Sequence, residues 1–228
     1  MHIEYCIQLA NGQGWHLIAL EDGAKSWLEK LASIMELKLS DRCTHECPKL
    51  IFIRRELNRG ILPVSKLTCD IKPELPVAGW KSHKINPLRF WFHPDVSDVV
   101  CDIGLEEDHA QEIMKMWRAL HPIYQRAQSS CGLPFHAALV GRDGMGILLA
   151  APGGTGKSTC CRRIPPPWQV LCDDETLVVL CDAIAEAQNE QKRYMAHPFP
   201  TWSDYLWRRS QQTWDVQQYL PLQAIFFM

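Results

Sequence analysis

Apolar and polar residues alternate at the start of the chain. Every second residue is apolar over 3–7 and again over 15–19, and the turn-forming residues 11–14 lie between these segments. Alternation with a period of two is typical of a half-buried strand, so this pattern predicts a β-hairpin. Apolar residues then recur at helical spacing over 27–35, with charged residues on the other face, which predicts an amphipathic helix.

The middle of the chain divides into a proline-rich part and a helical part. Over 50–100, short apolar runs are interrupted by five prolines, which favours strands and loops over helices. Over 106–128, apolar residues follow a helical stripe that contains Pro122. Because proline has no backbone N–H to donate, we expect it to kink or restart the helix.

The segment that follows His136 has a different character. Two apolar runs, 137–140 and 145–151, are joined by a Gly-Arg-Asp-Gly sequence, which predicts a second hairpin. The second run leads into the glycine-rich stretch 152–159, and a helix-compatible segment continues until the prolines at 165–167. We therefore predict a strand, a glycine loop and a short helix, in that order.

The glycine loop carries the strongest functional signal. Ala151, Gly156, Lys157 and Ser158 match the phosphate-binding pattern Gly-x-x-x-x-Gly-Lys-Ser, with alanine in place of the first glycine. In such a loop the backbone N–H groups and the lysine bind phosphates, and the serine hydroxyl binds Mg²⁺. A purely structural glycine turn is the alternative, but the surrounding strand and helix favour nucleotide binding. The predicted nucleotide-binding residues are Gly153, Gly154, Thr155, Gly156, Lys157, Ser158 and Thr159.

Two aspartates follow this loop. The apolar runs 170–172 and 177–180 predict a pair of buried strands, and Asp173 and Asp174 come at the end of the first. Adjacent residues of a strand point to opposite sides, so one carboxylate can bind Mg²⁺ while the other accepts a proton from an attacking hydroxyl. We assign Asp173 as the proton acceptor, and Asp174 together with Ser158 as metal ligands. The strand register leaves the reverse assignment open, and a pair that only begins a turn is the alternative.

These features resemble a known kinase family when they are taken together. His136, the hairpin, the loop 151–158 and the Asp173–Asp174 pair are similar to the catalytic core of HPr kinase/phosphorylase-type serine kinases, which share their fold with phosphoenolpyruvate carboxykinases. In that family a histidine opens the strand before the hairpin, the loop holds ATP, and a double aspartate follows one short helix later. The resemblance covers residues 135–180. It implies ATP or GTP, Mg²⁺, and catalytic roles for Asp173, His136 and Lys157.

The sequence departs from that family in two places. Ala137 follows His136 where these kinases usually have glycine, and no segment after Leu180 reproduces the arginine–glycine signature of the bifunctional kinase/phosphorylases. We therefore do not expect phosphorylase activity. The sequence ends on a strand-like apolar run over 222–228, so either the chain is truncated or later elements of the core are missing.

Composition and charge narrow the class of protein. The 228 residues include 24 Lys and Arg against 26 Asp and Glu, so no general attraction to nucleic acid or to an anionic membrane surface is expected. No apolar run approaches the roughly 20 residues of a membrane span, and no secretory signal is recognisable. We therefore expect a cytoplasmic protein whose ten cysteines are mostly free thiols.

Two further clusters leave alternatives open. Cys43, His45 and Cys47 offer three metal ligands, but no second ligand pair with suitable spacing follows, so the sequence does not establish a zinc site. Tryptophans, tyrosines and arginines cluster over 202–219. Such a cluster predicts either a peptide-docking surface or core packing.

Together these patterns predict an α/β protein with a small N-terminal α+β region over residues 1–130 and a P-loop kinase core on a mixed sheet over 131–228. The patterns over 9–15 and 27–37 also resemble the ScmC proteins of SynChlorMet peptide-modification cassettes, which implies a kinase-like partner of a ribosomally made peptide. The favoured function is phosphorylation of a serine hydroxyl on a protein or peptide. The alternatives are a nucleotide-binding scaffold without transfer activity and a small-molecule phosphotransferase, and a homo-oligomer is left open.

Overall fold

The computed structural model describes residues 3–39, 47–54, 79–104, 108–182, 192–209 and 211–228. Their strands form two seven-stranded sheets, each with parallel and antiparallel neighbours, which confirms the predicted mixed α/β content. The predicted division at residues 130 and 131 falls between the two sheets in sequence. No helix in these described ranges is both long enough and apolar enough to cross a membrane.

The first sheet contains the predicted N-terminal hairpin. Its strands are β1 (Ile3–Gln8), β2 (Gly14–Ala19), β3 (Lys38–Leu39), β4 (Lys49–Ile53), β5 (Lys81–Ile85), β6 (Leu88–His93) and β7 (Val96–Asp102), in the order β3-β1-β2-β4-β7-β6-β5. β1 and β2 pair antiparallel, with Ile3 opposite Ala19 and Gln8 opposite Gly14. The apolar runs predicted as strands between residues 50 and 100 lie in β4, β6 and β7.

The helices also follow the apolar pattern. They are α1 (Asp22–Ile34), α2 (His109–Ala119), α3 (His121–Ser129), α4 (Lys157–Arg163) and α5 (Trp202–Leu206). α2 begins after Asp108, whose carboxylate accepts a hydrogen bond from Gln111 N at 3.0 Å. A new helix, α3, starts with Pro122 in its first turn. Backbone N–H groups of the first turn have no partner within the helix, so proline loses no hydrogen bond there. The predicted restart at this proline is therefore confirmed.

The second sheet contains the second predicted hairpin. Its strands are β8 (Leu133–Phe135), β9 (Ala137–Arg142), β10 (Met145–Ala150), β11 (Gln169–Cys172), β12 (Glu175–Cys181), β13 (Arg193–Phe199) and β14 (Leu220–Phe227), in the order β11-β9-β10-β14-β13-β12-β8. β9 and β10 extend to Arg142 and Met145, so the turn is only Asp143 and Gly144. These two residues have φ values of 52° and 76°, as the primed turns of two-residue hairpins require.

The prediction of two buried, paired strands over 170–172 and 177–180 is wrong for the first strand. β11 is an edge strand, and Val170 is 40% exposed. β11 pairs with β9, whereas β12 pairs with β13 and β8. The apolar run over 170–172 has only three residues. A run of that length looks the same in an edge strand and in a central strand, so the sequence does not distinguish the two positions.

Asp173 and Asp174 alone connect β11, at one edge of the second sheet, to β12 near the other edge. A two-residue link can span this order only if the sheet curls on itself. β9 and β12 are accordingly in contact, and Thr176 Oγ1 donates a hydrogen bond to Ala137 O at 3.1 Å. The curl places the two aspartates beside the hairpin that leads into the glycine loop.

The two sheets share one apolar core. A single cluster of buried residues includes Trp27, Phe52 and Phe90 from the first half of the chain and Leu177 and Phe199 from the second. A polar contact also joins the halves, because the N–H of Ala10 donates to His197 Nε2 at 3.0 Å.

Candidate functional site

The glycine loop lies between β10 and α4, in the predicted order of strand, loop and helix. Gly154 and Gly156 have φ values of 81° and 103°, in the left-handed region where other side chains are strained. A Cβ atom at Gly153, Gly154 or Gly156 would meet no atom within 4 Å. The loop therefore leaves open space beside its backbone, which is the space a phosphate group would need.

Lys157 begins α4 and is only 6% exposed. Its Nζ donates a hydrogen bond to Ala151 O at 2.7 Å and lies 3.1 Å from His136 Nε2. The ammonium group is therefore held over the loop and beside the histidine that the sequence singles out. Ser158 and Thr159 follow in the first turn of α4, and both are exposed.

His136 lies between the glycine loop and the aspartate pair. Its Nε2 lies 3.0 Å from Asp174 Oδ1, in addition to its contact with Lys157 Nζ. One ring nitrogen either donates or accepts a hydrogen bond, so it pairs with the carboxylate or with the ammonium group, but not with both at once. Three residues predicted from separate segments thus meet within hydrogen-bond distance.

Asp173 and Asp174 line different cavities. Asp173 Oδ1 accepts a hydrogen bond from Thr201 Oγ1 at 2.7 Å, and Asp173 shares a polar cavity of about 460 Å³ with Ser158. Asp174 lines a second, mainly apolar cavity of about 470 Å³ together with His136. The adjacent carboxylates therefore line different cavities, although both lie in the bend between β11 and β12 rather than within a strand.

The polar cavity also contains charged side chains that the sequence analysis did not single out for the nucleotide site. Arg162, Arg209 and Asp204 line it with Ser158. Burial raises the pKa of Asp204 above its usual range, and the negative charge of Asp173 adds to this rise. The two guanidinium groups give the cavity positive charge close to the glycine loop.

Glu175 is a site residue that the sequence analysis missed. It begins β12 and lines the apolar cavity. Burial raises its pKa to about 7; the Tyr124 hydroxyl opposes this rise, and the charge of Asp174 adds to it. Its place directly after the aspartate pair is the one available signal in the sequence, and it does not reveal the burial.

The described ranges do not bring metal-ligating side chains together in a cluster. They contain no group of three or more His, Cys, Asp or Glu side chains able to hold a metal ion. Cys43 and His45 of the candidate zinc cluster lie outside the described residues, and Cys47 is not part of a disulfide bond. Cys6 departs from the free-thiol expectation, because it forms a disulfide bond.

The aromatic cluster over 202–219 divides between core and surface. Trp202 and Trp214 are 5% and 3% exposed, whereas Trp207 and Tyr219 are 64% and 46% exposed. Trp202 also lines the apolar cavity. Core packing thus accounts for two of these rings, and neither of the two exposed rings lines that cavity.

Comparison with known proteins covers the region that contains this site. The family described as SynChlorMet cassette protein ScmC matches residues 99–228, which is more than half of the chain. The matched region includes His136, the glycine loop and Asp173–Glu175, whereas the N-terminal patterns over 9–15 and 27–37 lie outside it. No curated protein matches the chain. The chain therefore belongs to the ScmC family of SynChlorMet cassette proteins.

Proposed function

We propose that this protein is a nucleotide- and Mg²⁺-dependent kinase that phosphorylates a serine hydroxyl of a protein or of a ribosomally made peptide. The observation that carries the proposal is the meeting of Lys157, His136 and Asp174 beside an open glycine loop. A lysine for phosphate charge and a carboxylate for the acceptor proton are two of the groups that a protein contributes to phosphoryl transfer.

The loop and its neighbours suit a nucleoside triphosphate with Mg²⁺. The space beside Gly153–Gly156 accommodates phosphates, and Lys157 adds a positive charge. Ser158 and Asp173 share one cavity and would hold Mg²⁺, which typically takes one or two protein oxygens besides phosphates and water. Bound Mg²⁺ would neutralise charge on the phosphates.

The contacts of the two aspartates favour the reverse of the assignment made from the sequence. Asp174 contacts His136, which in turn contacts Lys157, so Asp174 is the better placed proton acceptor, whereas Asp173 lies with Ser158 on the polar side. In the transfer step the serine proton passes to Asp174 as the serine oxygen bonds to the terminal phosphorus. The bond from that phosphorus to the bridging oxygen breaks, and a nucleoside diphosphate leaves. His136 Nε2 donates to Asp174 and positions its carboxylate.

The resemblance to HPr kinase-type serine kinases supports the same reaction, since His136, the loop and the aspartate pair lie in this structure as neighbours rather than as separate motifs. A peptide acceptor follows from the resemblance to cassette proteins that modify ribosomally made peptides. The acceptor, and the choice between ATP and GTP, are therefore parts of the proposal.

Incubation of the protein with radiolabelled ATP or GTP, Mg²⁺ and peptides encoded beside its gene tests the proposal. We expect label on a peptide serine, and no label with Lys157→Ala, because Lys157 is the one charged residue of the loop over 151–158. Calorimetry should show weaker nucleotide binding by that variant. If the parent binds the nucleotide but labels no peptide, the protein is a nucleotide-binding scaffold. Unchanged nucleotide affinity of Lys157→Ala would remove the loop from the mechanism.

A further inference from the structure

Ser203 lies where the polar cavity and the apolar cavity of the candidate site meet. It is the second residue of α5 and is half-buried. Among the described residues that line these two cavities, Ser203 alone belongs to both walls. It shares the polar cavity with Ser158 and the apolar cavity with Asp174. Its hydroxyl is therefore placed between the proposed Mg²⁺ ligand and the proposed proton acceptor.

The two carboxylate oxygens of Asp174 have different partners. His136 Nε2 lies 3.0 Å from Oδ1, whereas Ser203 Oγ donates a hydrogen bond to Oδ2 at 3.5 Å. A contact between a base and the hydroxyl that it deprotonates is often long before the reactants bind, and it shortens in the reacting complex. The Ser203 hydroxyl thus occupies the position from which an acceptor serine gives its proton to Asp174.

The other hydroxyl groups of these walls are placed differently. Thr201 Oγ1 donates to Asp173 Oδ1 at 2.7 Å, and Thr201 is only 3% exposed. The Ser158 hydroxyl belongs to the glycine loop and is a proposed ligand of Mg²⁺. Ser203 is the hydroxyl residue of the two walls that combines partial exposure with a contact to the proposed proton acceptor.

We infer that Ser203 is a self-phosphorylation site, to which the chain transfers the terminal phosphate of its bound nucleoside triphosphate. The inference rests on the proposed function, because it uses the same nucleotide, the same Mg²⁺ and the same proton acceptor. Ser203 Oγ bonds to the terminal phosphorus, and its proton passes to Asp174 Oδ2. The bond from that phosphorus to the bridging oxygen breaks, and a nucleoside diphosphate leaves with the electron pair. Because acceptor and base belong to one chain, the step is intramolecular.

The charges of the polar cavity suit a phosphoserine at this position. Arg162 and Arg209 line the cavity with Ser203. Guanidinium groups bind phosphate through charge-assisted hydrogen bonds, and a phosphoserine carries about −1.5 to −2 charges at neutral pH. The carboxylates of Asp173 and Asp204 line the same wall. Two positive groups balance these two negative groups, so the modified side chain would not face a surplus of negative charge.

Incubation of the full chain with ATP or GTP and Mg²⁺, without any peptide, tests the inference. We expect tandem mass spectrometry to place one phosphate on Ser203. Because the step is intramolecular, the fraction of chains modified per minute should not change when the protein is diluted. For the same reason, the Lys157→Ala chain should stay unmodified at Ser203 when it is mixed with the active parent.

Substitutions connect the modification to the geometry. Ser203→Ala should lose the phosphate, and Ser203→Thr, which retains a hydroxyl, should keep it. The matched control Ser82→Ala, at an exposed serine of β5, should be modified as the parent is. Asp174→Asn should slow the modification by roughly 10²–10⁴-fold, the range that acid–base groups contribute. Circular dichroism checks that each variant is folded.

A parallel incubation with the candidate peptides separates this inference from the peptide-kinase proposal. Phosphate on Ser203 with no labelled peptide supports the inference, even though the peptide-kinase proposal then fails. A labelled peptide with unmodified Ser203 supports the kinase and overturns the inference. Phosphate on Thr201 instead of Ser203, modification that slows on dilution, or phosphate on Ser203 of the Lys157→Ala chain in the mixture would also overturn it. Absence of phosphate from both the chain and the peptides would overturn both proposals.

Discussion

Two adjacent aspartates place their carboxylates in two different cavities of the candidate site. Asp173 and Asp174 form the whole connection between β11 and β12, and their side chains line different cavities. Thr201 Oγ1 fixes Asp173, whereas His136 Nε2 contacts Asp174. Both residues lie in the bend between the two strands, and their different contacts give the two carboxylates different surroundings, so they should differ in function.

Substitution of each aspartate by asparagine separates their roles. Asp174→Asn should keep MgATP binding and lose phosphate transfer by roughly 10²–10⁴-fold, the range that acid–base groups contribute. Asp173→Asn should weaken Mg²⁺-dependent nucleotide binding, because a ligand charge is lost beside Ser158. Calorimetry with and without Mg²⁺, together with a transfer assay, measures both effects. The opposite pattern would restore the assignment made from the sequence, and two variants that behave as the parent would make both carboxylates structural.

At this scale the sequence identifies the residues but not their surroundings. The spacing of His136, the loop and the aspartate pair is visible in the sequence, because each depends on local chemistry. Which aspartate faces His136 depends on strand register, and one residue of slip exchanges the faces. The surroundings of Glu175 include the side chains of Tyr124 and Trp202, which are distant in sequence, so no local pattern reveals them.

Among the elements, the glycine loop has open space beside its backbone and a left-handed conformation that favours glycine at position 156. Gly156 directly precedes α4 with a φ of 103°, whereas Gly153 does not have a left-handed φ. Neither position would bring a Cβ atom within 4 Å of another atom. Any difference between alanine substitutions at these positions therefore reports backbone conformation rather than crowding.

We predict that Gly156→Ala destabilises the folded protein by about 1–2 kcal/mol, the cost of placing a Cβ atom in a left-handed conformation. Gly153→Ala should change the free energy of unfolding by less than about 0.5 kcal/mol, because its backbone suits alanine and the space is open. Urea denaturation of both variants and the parent, followed by tryptophan fluorescence, gives the comparison. Equal destabilisation by the two substitutions would show that the loop conformation is not what selects glycine at 156.

Elements defined by local signals are the ones that the sequence predicts well. Both hairpins, α1 and the restart at Pro122 are confirmed, because alternation, turn residues and proline chemistry act within a few residues. The edge position of β11 is not predictable in this way, because it follows from the order of strands in the sheet. A short apolar run carries no information about its neighbours.

Over the whole molecule, the two sheets act as one folded unit through a shared core and a buried histidine. His197 of β13 accepts a hydrogen bond from Ala10 N at 3.0 Å, and its Nδ1 donates to Val216 O at 2.9 Å. The first bond joins residues 187 positions apart, so it could not have been predicted from spacing. One core cluster likewise contains buried residues from both sides of the predicted boundary at residue 130. We therefore expect one cooperative unfolding transition rather than two.

The buried histidine gives this transition a defined dependence on pH. Burial lowers the pKa of His197 to about 4, so the unfolded chain binds a proton there at a higher pH than the folded chain does. The stability that neutral His197 contributes is therefore present above about pH 6.5 and is lost as the pH falls towards 4, by up to about 3 kcal/mol. His197→Gln can accept from Ala10 N and donate to Val216 O but does not titrate, so it should remove this part of the acid destabilisation. His83→Gln, at an exposed histidine of β5, should retain it. Urea denaturation at four values between pH 4.5 and 7.5 measures the three proteins, and a parallel loss of stability in His197→Gln and the parent would show that His197 does not link folding to pH.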